Sequence, residues 1–458
     1  MIQIPKEIFK AYDIRGIVDK SLTPEIVESI GQALGSEAIN RGRNVICIGY
    51  DGRLSGPGLA NALSLGIRKS GVNVVNLGMV ATPMVYFAAH YLKTGCGVMV
   101  TGSHNPPEYN GLKMVLSDET LSGEAIQSLR QRIENNNLSS GSGTESNFDI
   151  STAYISRIVS DVKLNRPMKI SVDCGNGVPG AFASNLYSSL GCTVEELFCE
   201  VDGHFPNHHP DPSVPENLND LIKALKNGDS ELGLAFDGDG DRLGVVTKDG
   251  NIIYPDRQLL LFAEDVLKRE KGATIIYDVK STRNLAPWIR ERGGIPLMWK
   301  TGHSLVKAKM KETGSALAGE MSGHVFFKER WFGFDDGLYA GARLLEILSH
   351  FDDPSKILNN LPDSVSTPEQ HIKMKEGEPH LLISHLQKSA KFDGASEVNT
   401  IDGLRVEYPD GFGLMRPSNT TPVIVLRFEA DNPTALKRIQ DIFRKVILSS
   451  APELNLPF

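Results

Sequence analysis

The chain has 458 residues, 40% hydrophobic and 23% charged, with a net charge of -8, the profile of a soluble globular protein long enough for about three domains. No Lys/Arg-rich block or basic excess argues for a nucleic-acid partner, and no apolar run approaches the ~18 residues that a membrane span needs. The first 16 residues carry Pro5, Lys6, Glu7 and Asp13 with no apolar segment, so no secretory signal is expected; the five cysteines form no CxxC pair, which fits reduced thiols in a cytoplasmic protein.

The turn Lys10-Ala11-Tyr12-Asp13-Ile14-Arg15-Gly16 could aim a tyrosine and an arginine at an anion, although an ordinary surface loop has the same composition. Thr23 as cap and Pro24 in the first turn open a helix with Ile26, Ile30 and Leu34 on one face. Val45-Ile46-Cys47-Ile48-Gly49-Tyr50 reads as a buried strand ending in Asp51-Gly52-Arg53, followed by a helix with Leu59, Leu63 and Ile67 in line. The apolar run Gly97-Val98-Met99-Val100 then empties into Thr101-Gly102-Ser103-His104-Asn105-Pro106-Pro107, which presents a serine hydroxyl on a stiff turn.

The strand that ends in an aspartate recurs as Lys169-Ile170-Ser171-Val172-Asp173 and Thr274-Ile275-Ile276-Tyr277-Asp278, which suggests three related α/β domains. Residues 135–147, rich in Asn, Ser and Gly, read as a linker or a loose loop, and further breaks fall near Asp249-Gly250 and at 362–368. After about residue 366 a strand at 423–428 and a helix opened by Asn432-Pro433 suggest a smaller α+β unit. The expected fold is α/β, three related α/β domains with mixed sheets plus a smaller C-terminal α+β domain around a central cleft, divided as 1–150, 151–251, 252–365 and 366–458.

Asp237-Gly238-Asp239-Gly240-Asp241-Arg242 follows the apolar run 232–236. On a straight strand the three carboxylates would stand roughly 6–7 Å apart, but the glycines let the backbone curl until their oxygens converge. Hard oxygen donors in that number suit Mg²⁺ or Ca²⁺. An EF-hand loop is excluded because Arg242 and Lys248 stand where glycine and glutamate are required. A serine hydrolase fits poorly: the second glycine of a nucleophile elbow is missing, and a histidine next in sequence does not generally swing onto its neighbour's hydroxyl. Phosphoryl transfer fits better, with Arg242 and Lys113 available to steady the transferring group. Trp331-Phe332-Gly333-Phe334 reads as packing at the core or a domain interface, and His208-His209 as part of a stiff loop.

Four strings together, Thr101 to Pro106, Asp237 to Arg242, Gly319-Glu320-Met321-Ser322-Gly323-His324 and Arg416-Pro417-Ser418-Asn419-Thr420-Thr421-Pro422, resemble in identity and order the signatures of the α-D-phosphohexomutases, and most closely the bacterial phosphomannomutase/phosphoglucomutase branch. The resemblance covers essentially the whole chain. It implies that Ser103 is phosphorylated and, with Asp237, Asp239 and Asp241, holds one Mg²⁺; that Glu320 and Ser322 bind adjacent sugar hydroxyls; and that Arg416, Ser418, Asn419 and Thr420 grip the non-reacting phosphate. Tyr12, Arg15, Lys113, Arg242, Lys280, His303 and His324 would supply the remaining contacts, with Lys113, Arg15 and His324 all open as the general acid/base. It further implies hexose phosphate substrates interconverted between 1- and 6-phosphates through a 1,6-bisphosphate, glucose 1,6-bisphosphate as activator, and a monomer. Alternatives are phosphoglucosamine mutase, a phosphosugar phosphatase or a non-catalytic sugar-phosphate sensor.

Overall fold

The helix signal at Thr23-Pro24 is realised as Pro24–Asn40, its first turn closed by Thr23 Oγ1 accepting from the amide of Ile26. The C-terminal helix Pro433–Ser450 starts the same way, with Asn432 Oδ1 accepting from the Ala435 amide at 3.0 Å. In this computed structural model residues 4–419 and 421–458 are described.

Among the described residues four sheets form in chain order. The first has seven strands, the second five, the third four and the fourth six. The first three share one arrangement. Val45–Tyr50, Lys169–Asp173 and Thr274–Asp278, the strands that lead into or end at Asp51, Asp173 and Asp278, each lie between two parallel neighbours. One of those neighbours (Gly97–Val100, Leu232–Phe236 or Leu317–Gly319) turns back into an antiparallel partner. The turn carries Ser103 in the first sheet, Asp237 to Arg242 in the second and Glu320 to His324 in the third. One topological position, used three times, thus presents the three polar loops beyond the ends of parallel strands, where open α/β sheets bind ligands. The fourth sheet is antiparallel throughout and packs Ile439, Phe443 and Ile447 of the last helix beneath it.

The first three units share a continuous apolar core. Helix Thr82–Tyr91 of the first is buried over most of its length, and Phe87 stacks on Trp331, which stacks on Tyr339 at 4.2 Å between ring centres. The 331–334 aromatics are therefore packing between units. All five cysteines are free thiols.

One expectation needs correction. Residues 135–147 are not a loose linker: the amides of Gly141 and Gly143 donate to the carbonyls of Lys69 and Arg68, and Glu145–Asn147 adds a parallel strand beside Asn73–Met79. The glycines serve close backbone approach, since a Cβ on Gly141 would lie 2.7 Å from Gly71 Cα. The turn at Asp249-Gly250 closes a hairpin, Ile252–Ile253 pairing back onto Leu243–Thr247, just before helix Pro255–Arg269 begins, and the pairing of Val365 with Ala430 opens the fourth sheet. Turn composition signals a reversal of the chain, and it does not say which sheet receives the next strand.

Candidate active site

The serine turn is built from below by the end of the first unit's central strand. Asp51 accepts hydrogen bonds from Thr101 Oγ1 at 2.7 Å and from the Gly102 amide, and Thr101 Oγ1 accepts from the Ser103 amide. Arg53, fully buried and paired with Asp51, donates to the carbonyls of Ser103, Asn105, Pro106 and Tyr109. Four guanidinium protons spent on one loop, with the fifth on Asp51, hold Ser103 in a left-handed conformation, φ +50°, which a non-glycine residue adopts only where its surroundings enforce it. Sequence reasoning passed over Arg53 as a strand end; an arginine two residues beyond a strand-terminal aspartate was the available signal.

Ser103 Oγ lies 3.1 Å from Asp237 Oδ2, on the corresponding loop of the second sheet. There Gly240, at φ +79°, lets the chain curl so that its amide and that of Arg242 both donate to Asp237 Oδ1. Oxygens of Asp237, Asp239 and Asp241, all fully buried, lie within 4.8 Å of one another. Asp239 also accepts from Thr82 Oγ1, a contact that ties the loop to the first unit. Lys113 Nζ sits 2.7 Å from Asp239 Oδ2 and 2.5 Å from Asp241 Oδ2. Burial opposes the charge on Lys113, but these carboxylates outweigh it and hold the ammonium above the ordinary lysine range. Burial, then repulsion from Asp239 and Asp241, pushes Asp237 well above the carboxylate range, whereas at Asp239 burial is outweighed by Lys113.

The donor set fits a hard divalent cation. Asp239 Oδ1 and Asp241 Oδ1 are buried oxygens without a hydrogen-bond partner, a condition that costs free energy unless a ligand satisfies them.

The adjacent histidine does reach the serine: His104 Nδ1 lies 3.2 Å from Ser103 Oγ. The expectation that neighbours cannot meet fails because the positive φ at Ser103 folds the two side chains to the same side. Burial, reinforced by Arg242, Arg15 and Lys113, pushes His104 well below the usual imidazole range. Arg15 is held by Asp13 and by Asn105 Oδ1 at 2.8 Å.

The third loop joins the second through a backbone bridge between Arg242 and His324, and Arg242 Nε donates to His324 Nε2 at 3.1 Å. Glu320 Oε1 accepts from the Gly302 amide, while Oε2 is buried without a partner. Burial, with His324 opposing and Asp278 assisting, pushes the Glu320 carboxyl up to about 7. His303 packs edge-on against Tyr12 at 5.7 Å, and burial, reinforced by Lys307, pushes its imidazole well below the usual range. From the fourth unit, Arg416 is held by Asp402 at 3.0 Å and leaves one Nη buried and unpaired. Thr421 Oγ1 donates to Ser418 Oγ. Lys280 pairs with Glu369 at 2.6 Å.

The site residues expected from the sequence, apart from the three metal-loop aspartates and Thr420, line one cavity of about 1180 Å³, and His104 and Glu369 line it with them; Asp237 lies against both Ser103 and Arg242. Thr420 lies outside the described residues. Arg53, His104, Thr82, Glu369 and Asp335, which lies beside His324, were not singled out from the sequence: Thr82 and Glu369 take their places through contacts between units, and Arg53 and Asp335 through partners distant in the chain within their own unit.

A cleft of this construction, with a serine and a carboxylate cluster meeting across two like α/β units, defines a phosphosugar-type site, and the comparisons agree. Models of phosphoglucomutase/phosphomannomutase α/β/α domains I, II and III match residues 6–140, 152–250 and 254–365, and the model of the C-terminal domain of the same group matches 371–446. The chain belongs to the phosphoglucomutase/phosphomannomutase family. It is 62% identical to a phosphoglucomutase of Neisseria meningitidis over all of both chains, and 55% identical to the phosphomannomutase/phosphoglucomutase of Pseudomonas aeruginosa over 99% of this chain and 98% of that one. The crystal structure of a phosphoglucomutase/phosphomannomutase family protein from Burkholderia thailandensis superimposes with a TM-score of 0.96 at 59% identity, covering 100% of each chain. Among the described residues no helix is long and apolar enough to cross a membrane.

Proposed function

We propose that this chain is a phosphomannomutase/phosphoglucomutase, which interconverts the 1- and 6-phosphates of glucose and mannose by way of a phosphoserine at position 103. The observation that carries the reading is the 3.1 Å contact between Ser103 Oγ and Asp237 Oδ2, across 134 positions of sequence, at the floor of a cavity rich in cationic side chains. In the forward half, the bond from phosphorus to Ser103 Oγ breaks and one forms to the free sugar hydroxyl, whose proton passes to a base. The resulting 1,6-bisphosphate turns over in the cleft and returns its other phosphoryl group to Ser103, the sugar oxygen recovering a proton.

Of the three residues open as that base, Lys113 is held charged by two carboxylates and Arg15 is a guanidinium paired with Asp13. His324, with Nε2 as a lone-pair nitrogen beside Arg242, is the group suited to take the proton. Asp237, Asp239, Asp241 and the serine phosphate would hold Mg²⁺, which when bound neutralises phosphoryl charge. Glu320 and Ser322 take sugar hydroxyls. Arg416, Ser418, Asn419, Thr420, Lys280, His303 and Tyr12 take the distal phosphate and the ring. The four sheets act as four units divided near residues 150, 251 and 365, the last closing over the phosphate to keep water from the phosphoserine. A cytoplasmic monomer activated by glucose 1,6-bisphosphate completes the reading.

The test is glucose 1-phosphate conversion with free phosphate measured alongside. Glucose 6-phosphate should form without matching phosphate release, Ser103→Ala should abolish it, and glucose 1,6-bisphosphate should restore a dephosphorylated preparation. Phosphate release as fast as isomer formation would make the chain a phosphatase. A preference for glucosamine 1-phosphate over the glucose and mannose esters would move it to the phosphoglucosamine branch.

A further inference from the structure

Two acids in succession open the helix Gly337–Leu348, and they face opposite ways. Asp336 caps it, accepting from the Tyr339 amide at 2.9 Å and from the Tyr154 hydroxyl. Asp335 turns into the site and is fully buried, its backbone bridged to Phe326. Its Oδ1 accepts from Lys307 Nζ at 2.8 Å, and its Oδ2 lies 3.0 Å from His324 Nδ1. His303 Nδ1 is farther from the same oxygen, 3.9 Å, and Asp241 Oδ1 is 3.4 Å from His324 Nδ1. Neither His324 Nδ1 nor Asp335 Oδ2 makes an aligned hydrogen bond, with the other or with a third group, and at 3.0 Å each is the other's nearest polar neighbour. Such contacts often tighten only in the substrate complex.

On the other edge of the ring Arg242 Nε donates to Nε2. A guanidinium has no lone pair to offer, so Nε2 must be the accepting nitrogen and the proton of the neutral ring sits on Nδ1, the nitrogen that lies 3.0 Å from Asp335 Oδ2 and 3.4 Å from Asp241 Oδ1. Burial opposes the charge of Asp335, but Lys307 outweighs it and holds the carboxyl well below its usual range.

We infer that Asp335 is a positioning residue for the phosphoryl-transfer site, fixing the orientation and tautomer of His324 so that Nε2 is presented as the proton acceptor. This rests on the mutase reading above. Lys307 makes the inference specific: because its ammonium demands an oxygen, an amide at 335 would turn its NH₂ toward His324 Nδ1. That would force the proton to Nε2, against the donor of Arg242.

The experiment compares Asp335→Asn, Asp335→Ala, His324→Gln and Asp335→Asn/His324→Gln, all full length and Mg²⁺-supplied, with glucose 1-phosphate as substrate. Asp335→Asn is expected to lower kcat on the order of 10²–10⁴-fold with KM changed by less than about threefold. In the His324→Gln background the same change should cost less than about threefold more, since the residue acts through the histidine. Losses that multiply, or an Asp335→Asn enzyme with wild-type kcat, would overturn the inference. Should the 335 variants fail to fold, the wild-type protein carrying ¹³Cδ2-labelled histidine still decides, its His324 signal assigned by loss in His324→Gln. The Nδ1–H tautomer is the expected result and the Nε2–H tautomer refutes it. A wild-type chain without mutase activity would instead sink the functional reading, while the tautomer measurement would still judge the pairing of Asp335 with His324.

Discussion

The guanidinium of Arg53 donates to the carbonyl of Ser103 at 2.8 Å, so the residue that shapes the serine turn never faces the cavity with its own charge. Breaking a buried pair by removing one partner costs about 3–5 kcal/mol, and Arg53→Met leaves Asp51 buried without its counter-charge. We expect a fall of that size in denaturant unfolding free energy. Phosphate incorporation at Ser103 should drop as well, because four loop carbonyls lose their donor together; a variant with native stability and full incorporation would contradict this role.

Mg²⁺ should protect the fold through the three aspartates of the second unit. At 100 times its dissociation constant a ligand specific to the native state contributes about 2.7 kcal/mol, so thermal unfolding should shift upward by several degrees. Asp239→Asn and Asp241→Asn should lose the shift. EDTA should abolish isomerisation in the wild type, with recovery on readdition of Mg²⁺.

Glu320 gives a pH signature. Its folded pKa of about 7 lies above the ordinary glutamate value, so between those two pH values the native state holds a proton that the unfolded chain has released. Its contribution to stability is therefore complete at low pH and lost as pH rises toward and through 7, by on the order of 3 kcal/mol. Glu320→Gln cannot titrate, so in ligand-free protein its stability relative to wild type should rise across pH 5–8. A difference that stays flat across this range would mean that Glu320 ionises as an exposed carboxylate does.

Arg405 joins the fourth unit to the third, donating to the carbonyls of Val279 at 2.8 Å and Ser281 at 2.6 Å while lying over Phe412. Arg405→Met keeps the apolar stem and removes both bonds, each worth about 1–3 kcal/mol when a buried acceptor is left unmet. Because Lys280 sits between those two carbonyls and lines the cavity, KM for sugar phosphates should rise several-fold with a smaller change in kcat. Calorimetry and steady-state kinetics on one preparation would check both.

Much of the architecture was legible because it is written in local periodicity. Helix caps at Thr23 and Asn432, the strand-to-aspartate phrase at Asp51, Asp173 and Asp278, and the glycine-spaced carboxylates at 237–242 all depend on neighbours a few residues away. The linker reading of 135–147 failed for the complementary reason: Gly141 and Gly143 are there to lie against Gly71 and Val72, residues about seventy positions earlier. His104 eluded a rule of thumb because the turn's handedness is imposed by Arg53 and Asp51 from another strand.

By itself, then, the order of residues determined which segments become strands, helices and polar turns, and which side chains are chemically equipped to bind phosphate and a divalent ion. Only the tertiary structure decided that three like turns converge on one cavity, that Lys113 is a bound cation while His324 presents Nε2 as an accepting nitrogen to Arg242, and that Asp335 stands behind that ring. The physical reason is that charge state and reactivity are set by burial and by groups within a few ångströms, and here those groups come from separate sheets whose packing no short stretch of sequence encodes.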